Sequence, residues 1–309
     1  MDIIVGYTGF VGSNIAAEHT FDYYFNSKNI QDAFGLNPDL CVYSGVRAEK
    51  FLANNDPDGD MAIINNAIDN IKKINPKRLV LISTIDVYKN PNGADEDVLI
   101  DTDNLHPYGL NRYRLEQWVS ENIENYHIIR LPGLFGKNIK KNFIFDLINI
   151  IPSMLNEKKY SELSAKSELI RCCYKKQDNG FYKFCDSSQC TKSALKQEFL
   201  SIGFSALNFT DSRGVYQFYN LSRLWEHIEI VIKNDVRLVN MAVEPVCTAD
   251  IYRRITGKEF VNEVAQTPPL YDFKTKHYSL FGGKDGYIFD KNQVSCDIEN
   301  FVKSQLNEA

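Results

Sequence analysis

Residues 2–18 read DIIVGYTGFVGSNIAAE. The run from Asp2 to Val5 is short and apolar, which predicts a buried strand, and the glycine-rich turn at 6–12 leads into a short helix that begins near Ser13. A G-x-x-G-x-x-G turn in this context is typical of dinucleotide binding: its glycines allow a tight turn, let the backbone approach a pyrophosphate and let the helix, whose N-terminus faces the anion, pack closely on the strand. The sequence therefore predicts cofactor contacts from Gly6, Tyr7, Thr8, Gly9, Phe10, Val11 and Gly12.

Strand and helix patterns alternate through the rest of the first half. The run RLVLIS at 78–83 is apolar throughout, as expected for a buried parallel strand, and apolar residues recur at helical spacing over 61–74. This alternation predicts an α/β fold with a doubly wound parallel sheet of Rossmann type. The further elements are predicted as strands at 22–25, 39–43, 126–131 and 236–242 and as helices at 108–123, 221–233 and 297–306.

The alternation is lost after about residue 136, where the chain becomes richer in Lys, Ser and Cys. We therefore expect a dinucleotide-binding domain formed by 1–135 and 214–245. A smaller substrate-binding lobe, partly C-terminal, is expected to combine 136–213 with 246–309.

Composition and charge exclude several classes of protein. The net charge is −5, from 35 Lys and Arg against 40 Asp and Glu, and this mild acidity argues against nucleic-acid binding. No run of about 18 apolar residues is present, so no membrane span is predicted. The seven cysteines are odd in number and the N-terminus lacks the basic and apolar regions of a secretory signal, which favours a cytoplasmic, reduced compartment. The cysteines at 172, 173, 185 and 190 lack C-x-x-C spacing, so no metal site is predicted.

Two further motifs carry hydroxyl groups. Thr84 lies at the end of the 78–83 strand, where ligands of open α/β sheets bind, although a Ser-Thr pair can also simply cap a strand. Tyr108 and Arg112 lie four residues apart on one helix face. A unit charge at about 4 Å is worth roughly 4 kcal/mol, or about three pKa units, so Arg112 is expected to bring the pKa of the phenol toward neutrality. The alternative is a surface Tyr and Arg on an amphipathic helix.

Taken together, these motifs resemble those of the extended short-chain dehydrogenase/reductase superfamily, in particular its nucleotide-sugar epimerase, dehydratase and reductase branch. That branch has the N-terminal glycine turn, a strand ending S-[ST]-x-x-V-Y, and Y-G-x-S-K-x-x-x-E, with Tyr108, Gly109 and Glu116 at matching positions. The segment RLPGLFG at 130–136 resembles its R-L-x-N-x-Y-G. The segment RGVYQFYNL at 213–221 resembles its R-D-F-V-Y-V-D-D-V.

The resemblance implies roles for individual residues. Thr84 would orient the substrate oxygen, Tyr108 would exchange a proton with it, and a nicotinamide would carry the hydride. Arg112 stands where the family has its catalytic Lys, and Arg213 would bind the substrate pyrophosphate with its bidentate guanidinium. The further positions that the resemblance assigns are Ser44, Gly45 and Pro132 for the cofactor and Gly133 for the substrate. It also implies a nucleotide-sugar substrate and a homodimer formed through the helices near 61–74 and 108–123.

Departures from the family pattern leave alternatives open. Arg and Lys are not interchangeable at a tight site, and the family's substrate-contacting Asn is Gly133 here. The pair Ile85-Asp86 argues against the dehydratases, which have Asp-Glu at this place. The main hypothesis is an NAD(P)-dependent enzyme that reduces a keto sugar or epimerises a sugar through a keto intermediate. The alternatives are a catalytically impaired regulatory or scaffold protein that binds a dinucleotide, and a reductase of a small carbonyl compound.

The cofactor preference is expected at the end of the second strand. NAD-dependent enzymes usually place an acid there for the ribose 2′-hydroxyl, whereas a nearby base suits NADP. The residues at this point are Asn26, Ser27 and Lys28, without an acid. The sequence therefore favours NADP over NAD, unless Lys28 simply points to solvent.

Overall fold

The computed structural model describes residues 1–185 and 191–307. The strands are β1 (Asp2–Val5), β2 (Tyr23–Phe25), β3 (Leu40–Tyr43), β4 (Leu79–Thr84), β5 (Tyr126–Leu131), β6 (Gly133–Phe135), β7 (Met154–Leu155), β8 (Tyr174–Lys176), β9 (Tyr182–Phe184), β10 (Val215–Tyr216), β11 (Phe218–Asn220), β12 (Leu238–Asn240) and β13 (Val246–Cys247). The helices are α1 (Phe10–Glu18), α2 (Lys50–Asn55), α3 (Pro57–Ile74), α4 (Pro107–Asn122), α5 (Phe143–Ile148), α6 (Glu157–Ser164), α7 (Glu168–Cys173), α8 (Lys192–Ser201), α9 (Leu224–Lys233), α10 (Thr248–Thr256) and α11 (Lys291–Asn307).

Six parallel strands form the main sheet in the order β2-β1-β3-β4-β5-β12. Its central strands are apolar and buried, as a sheet with helices on both faces requires: Ile3 and Ile4 of β1 and Val42 of β3 are fully inaccessible. The predicted doubly wound α/β fold is therefore confirmed. The chain places β2 on one side of β1 and β3 on the other, so the strand order reverses between β1 and β3. The carboxyl ends of these strands form the crevice in which such folds bind ligands.

Helices α3 and α4 begin earlier than predicted because each has an N-terminal capping signal. The Asp56 side chain accepts a hydrogen bond from the Gly59 amide at 3.0 Å, and Pro57 is the first residue of α3. His106 caps α4 in the same way, and Pro107 begins that helix. The core between these helices and the sheet includes Ile64, Ile71, Leu79, Leu115 and Val119.

The chain divides into two compact units. The ranges are 1–139, 216–246 and 270–297 for unit 1, and 140–215, 247–269 and 298–309 for unit 2. Unit 1 contains the main sheet. Unit 2 has an antiparallel sheet of three strands in the order β7-β9-β8, and its core includes Leu155, Leu163, Ile170, Leu195 and Phe199.

The segment 270–297 differs from the sequence prediction, which assigned all of 246–309 to the second lobe. It belongs to unit 1. The reason is a buried pair of hydrogen bonds: the Gln217 side chain donates to the Phe273 carbonyl and accepts from the Phe273 amide, each at 2.9 Å. The cofactor and substrate roles assigned to the two lobes stay predictions.

Candidate functional site

The glycine turn after β1 leaves no space for a side chain at two of its positions, Gly6 and Gly12. Gly6 has a φ of +90°, and a Cβ atom there would lie 2.6 Å from the Ser44 carbonyl oxygen. A Cβ on Gly12 would lie 2.2 Å from the Gly6 carbonyl oxygen and 2.6 Å from the Ser44 hydroxyl. Side chains are therefore excluded at both positions, and the start of α1 packs directly on the segment Ser44–Gly45 at the β1/β3 crevice.

The N-terminus of α1 is open to an anion. Among the described residues no side chain caps it at Gly9, and its first turn carries no acid. Thr8 and Gly9 are exposed, while Tyr7 packs edge-on against Tyr24 at 5.6 Å between ring centroids. Exposed backbone amides and a helix dipole at a turn without side chains suit a pyrophosphate group, so the residues present fit a dinucleotide.

The end of β2 carries no negative charge. The Asn26 side chain accepts from the Lys28 amide at 2.9 Å, which leaves the side chains of Ser27 and Lys28 exposed. A base at this position suits a ribose 2′-phosphate better than a free hydroxyl.

Thr84 and Tyr108 meet at the carboxyl end of β4. The Thr84 hydroxyl lies close enough to the Tyr108 phenol to act on its pKa, and it accepts a hydrogen bond from the Asp86 amide at 3.2 Å. Gly109 allows this approach, because a Cβ there would lie 2.1 Å from the Asp86 carbonyl oxygen. Tyr108 is buried, and this burial raises the pKa of its phenol to about 12.

Arg112 lies next to Tyr108, but the prediction that it brings the phenol toward neutrality is wrong for this structure. The guanidinium lies over the phenol ring, 4.0 Å from the centroid, and donates to the Tyr108 carbonyl at 3.4 Å. It also forms a buried ion pair with Asp60 and donates to the Arg47 carbonyl at 2.6 Å. Asp60 thus offsets the charge of Arg112, and the pKa of Tyr108 stays high because burial outweighs it.

Lys50 and Asp60 are site residues that the sequence analysis missed. The Lys50 amine lies 2.7 Å from an Asp86 carboxylate oxygen, and the charge of Lys50 acts on His106, whose pKa is lowered mainly by burial. The His106 Nδ1 atom accepts from the Gly109 amide at 3.0 Å. Asp86 lies 36 residues from Lys50 in the chain and Asp60 lies 52 residues from Arg112, so no local spacing in the sequence predicts either ion pair.

A buried network lies beneath the hydroxyl pair. Glu116 receives hydrogen bonds from the Ser83 hydroxyl and from Arg130, which binds it through Nε and Nη2. Arg130 also donates to the Tyr88 hydroxyl at 2.8 Å, and Tyr88 is bonded in turn to Asn240. Because its charged members are paired, this network can fix the end of β4 against α4.

The predicted substrate position at Gly133 leaves no room for a side chain. Gly133 follows Pro132 and begins β6, which pairs with β11. A Cβ there would lie 2.8 Å from the Gln217 carbonyl oxygen. The Asn that the resembling family has at this place would therefore require the backbone to move.

Arg213 belongs to unit 2 and is held by neighbours there. It binds Asp211 through Nε at 2.9 Å and Nη2 at 2.8 Å, Glu263 at 2.9 Å and the Ala265 carbonyl at 2.6 Å. The side chain of Arg213 is 38% exposed and that of Asp211 only 2%. The guanidinium beside Asp211 holds the pKa of that carboxyl well below its usual range. A pyrophosphate at Arg213 would compete with these carboxylates.

The part of the chain that the structure describes contains neither a metal-binding cluster nor a membrane-spanning helix. Over 1–185 and 191–307, no group of three His, Cys, Asp or Glu side chains could hold a metal ion, and Cys190 lies outside these ranges. No described helix has the length and apolar character needed to cross a bilayer. Cys173 is disulfide-bonded, so the reduced compartment stays a prediction.

Comparison with known proteins gives matches in structure only. No protein-family model and no curated protein matches the sequence. The structure is similar to a dTDP-4-dehydrorhamnose reductase from Bacillus anthracis in complex with NADP, with 17% identity, a TM-score of 0.63 and coverage of 98% of this chain and 97% of the other. It is also similar to a GDP-6-OMe-4-keto-L-xylo-heptose reductase from C. jejuni (14% identity, TM-score 0.63, coverage 100% and 98%). A UDP-N-acetylglucosamine 4-epimerase from Methanobrevibacter ruminantium gives 12% identity, a TM-score of 0.60 and coverage of 100% and 98%. The chain therefore shares the fold of these two reductases and this epimerase over 98–100% of its length.

Proposed function

We propose that this protein is an NADP-dependent oxidoreductase that reduces a keto group on a nucleotide-linked sugar. The observation that carries the proposal is that Thr84 and Tyr108 lie next to each other, in the same unit as the open glycine turn. The glycine turn follows β1 and Thr84 ends β4, so both lie at the carboxyl edge of the same parallel sheet. The similarity in fold to reductases of nucleotide-linked keto sugars supports the substrate class.

The chemistry divides between cofactor and chain. When bound, the reduced nicotinamide supplies the hydride that forms the new C–H bond, and is itself oxidised. Thr84 and Tyr108 hold the carbonyl oxygen by hydrogen bonds, and Tyr108 gives its proton to that oxygen as the C=O bond becomes C–OH. A phenol with a pKa of about 12 is protonated at neutral pH, which suits proton donation. The oxidation that begins an epimerase cycle needs the phenolate instead, so the raised pKa of this phenol suits reduction better.

The cofactor-binding residues are proposed as follows. The amides of 6–12 hold the pyrophosphate, Lys28 binds a ribose 2′-phosphate, and Ser44–Gly45 border the crevice. Pro132 is proposed beside the nicotinamide. The preference for NADP rests on Lys28 and on the absence of an acid from residues 26–28, which follow β2 directly.

Gly133 in unit 1 is proposed as a substrate contact, and Arg213 in unit 2 is separately proposed to bind a phosphate. Arg213 would have to exchange Glu263, its more exposed partner, for a phosphate oxygen while it keeps Asp211. A phosphate can replace the Glu263 carboxylate because both are anions and a guanidinium binds either with two hydrogen bonds. A homodimer through α3 and α4 and a cytoplasmic location are proposed on the family resemblance, and analytical ultracentrifugation tests the dimer.

A second function is favoured by the state of Arg112. Asp60 and the Arg47 carbonyl hold the guanidinium of Arg112, which supports the view that Arg112 does not take the role of the lysine in a Tyr-x-x-x-Lys motif. The chain would then be a catalytically impaired protein that binds a dinucleotide and serves a regulatory or scaffold role.

The experiment that separates these functions is turnover. The purified protein is incubated with NADPH and dTDP-4-dehydrorhamnose or another nucleotide-linked 4-keto sugar, and the loss of NADPH absorbance is followed. Turnover that Tyr108→Phe abolishes supports the enzyme. Tight NADPH binding without turnover on any such sugar supports the second function, and unchanged turnover in Tyr108→Phe contradicts the assigned chemistry.

A further inference from the structure

Near Tyr108, Lys50 on α2 is a cation that solvent can reach, whereas Arg112 on α4 is buried. Lys50 begins α2, six residues after Ser44 at the β1/β3 crevice, and its side chain is 42% exposed. Arg112 is only 6% exposed and is held by Asp60 and a backbone carbonyl. A ligand can therefore reach Lys50 directly, whereas Arg112 is part of the protein interior.

Asp86 connects Lys50 to the hydroxyl pair. One of its carboxylate oxygens is 2.7 Å from the Lys50 amine, and its amide donates to the Thr84 hydroxyl at 3.2 Å. Its carbonyl oxygen lies against Gly109, the residue after Tyr108. The Asp86 side chain is 22% exposed, so its charge acts on the site through a medium less polar than bulk water.

The charges around Tyr108 come from three elements. Arg112 on α4 favours the phenolate, while Asp60 on α3 and Asp86 after β4 oppose it. Asp60 already has Arg112 as its partner. Asp86 is left to Lys50, so removal of Lys50 would expose Tyr108 to an uncompensated carboxylate. Lys50 and Asp86 also act, with opposite sign, on His106 at the N-terminus of α4.

We propose that Lys50 is a positioning residue of the proposed reaction: it neutralises the carboxylate of Asp86 beside Tyr108. This role rests on the proposed function, since it concerns the proton that Tyr108 donates. As the proton leaves, negative charge develops on the phenol oxygen, and a neutralised Asp86 disfavours that charge less than a bare carboxylate does.

Kinetics of three lysine variants test the role. Lys50→Met is expected to lower kcat about tenfold or more at pH 7, as one pKa unit of lost stabilisation implies, with little change in KM for NADPH. Lys50→Arg is expected to restore most of the activity because it keeps the charge. The control is Lys77→Met, which breaks another Lys–Asp pair, also 2.7 Å apart, with an exposed partner, Asp39.

A second measurement is independent of turnover. In a histidine NMR titration, Lys50→Met is expected to raise the pKa of His106 and Asp86→Asn to lower it, while Lys77→Met leaves it unchanged. If the wild type turns over and Lys50→Met matches Lys77→Met in kcat, the role of Lys50 is overturned and the proposed function stands. An unchanged His106 titration in Lys50→Met overturns it as well. If no keto sugar is reduced, the proposed function fails and the role of Lys50 in that reaction fails with it. A response of His106 would then show only that Lys50 and Asp86 act on its imidazole.

Discussion

Replacement of Arg112 by Met tests whether its guanidinium is part of the protein interior. The side chains of Arg112 and Asp60 are 6% and 4% exposed, so the variant leaves a buried carboxylate without its cation. Removal of one partner from such a pair costs about 3–5 kcal/mol. Asn111 still donates to Asp60 at 2.9 Å, which places the expected loss at the lower end, about 3 kcal/mol.

The assay is urea-induced unfolding followed by circular dichroism. The matched control is Arg114→Met on the same helix, an exposed arginine whose loss is expected to cost less than about 0.5 kcal/mol. The double variant Asp60→Asn/Arg112→Met is expected to recover much of the lost stability, because no unpaired charge remains. A loss for Arg112→Met no larger than that for Arg114→Met would refute the reasoning, since Arg112 would then be free for catalysis.

Three further predictions concern the glycine turn and two titrating groups. Gly12→Ala would place a Cβ 2.2 Å from the Gly6 carbonyl oxygen, so calorimetry should show that NADPH binding is lost, whereas Ala17→Ser, on the exposed face of α1, should retain it. Burial lowers the pKa of His227 to about 4, so the folded state binds fewer protons than the unfolded state below about pH 6.5. The free energy of unfolding should therefore fall by up to about 3 kcal/mol between pH 6.5 and 4. The variant His227→Gln should remove this pH dependence. Burial raises the pKa of Asp146 to about 7, so stability should fall as the pH rises from about 4 to 7, and Asp146→Asn should unfold at higher urea than the wild type at pH 8 but not at pH 4.

Much of the main sheet could be predicted because its strands are buried on both faces. Continuous apolar runs such as 78–83 leave few other structures, and the predicted strand at 126–131 has the bounds of β5. The helix ends were less predictable. Apolar spacing locates the buried part of α3 from Met61 onward, but its first turn depends on the cap at Asp56 rather than on burial.

The candidate site was predictable in position and not in electrostatics. The motif spacing brought Thr84, Tyr108 and Arg112 together, as the structure also does. The direction of the guanidinium depends on Asp60, more than fifty residues earlier in the chain, and the charge next to Thr84 depends on Lys50. Such pairs follow from how α2, α3 and α4 pack, and local sequence patterns carry no information on them.

The most direct test of the account is native mass spectrometry of the purified protein, before and after addition of NADPH and NADH. We expect one NADPH to bind per chain, in preference to NADH, and to exchange freely, as a reductase requires. NAD retained from purification would point to an epimerase cycle in which the cofactor stays bound. A protein that binds neither dinucleotide would contradict the central claim that the turn at 6–12 is a cofactor site.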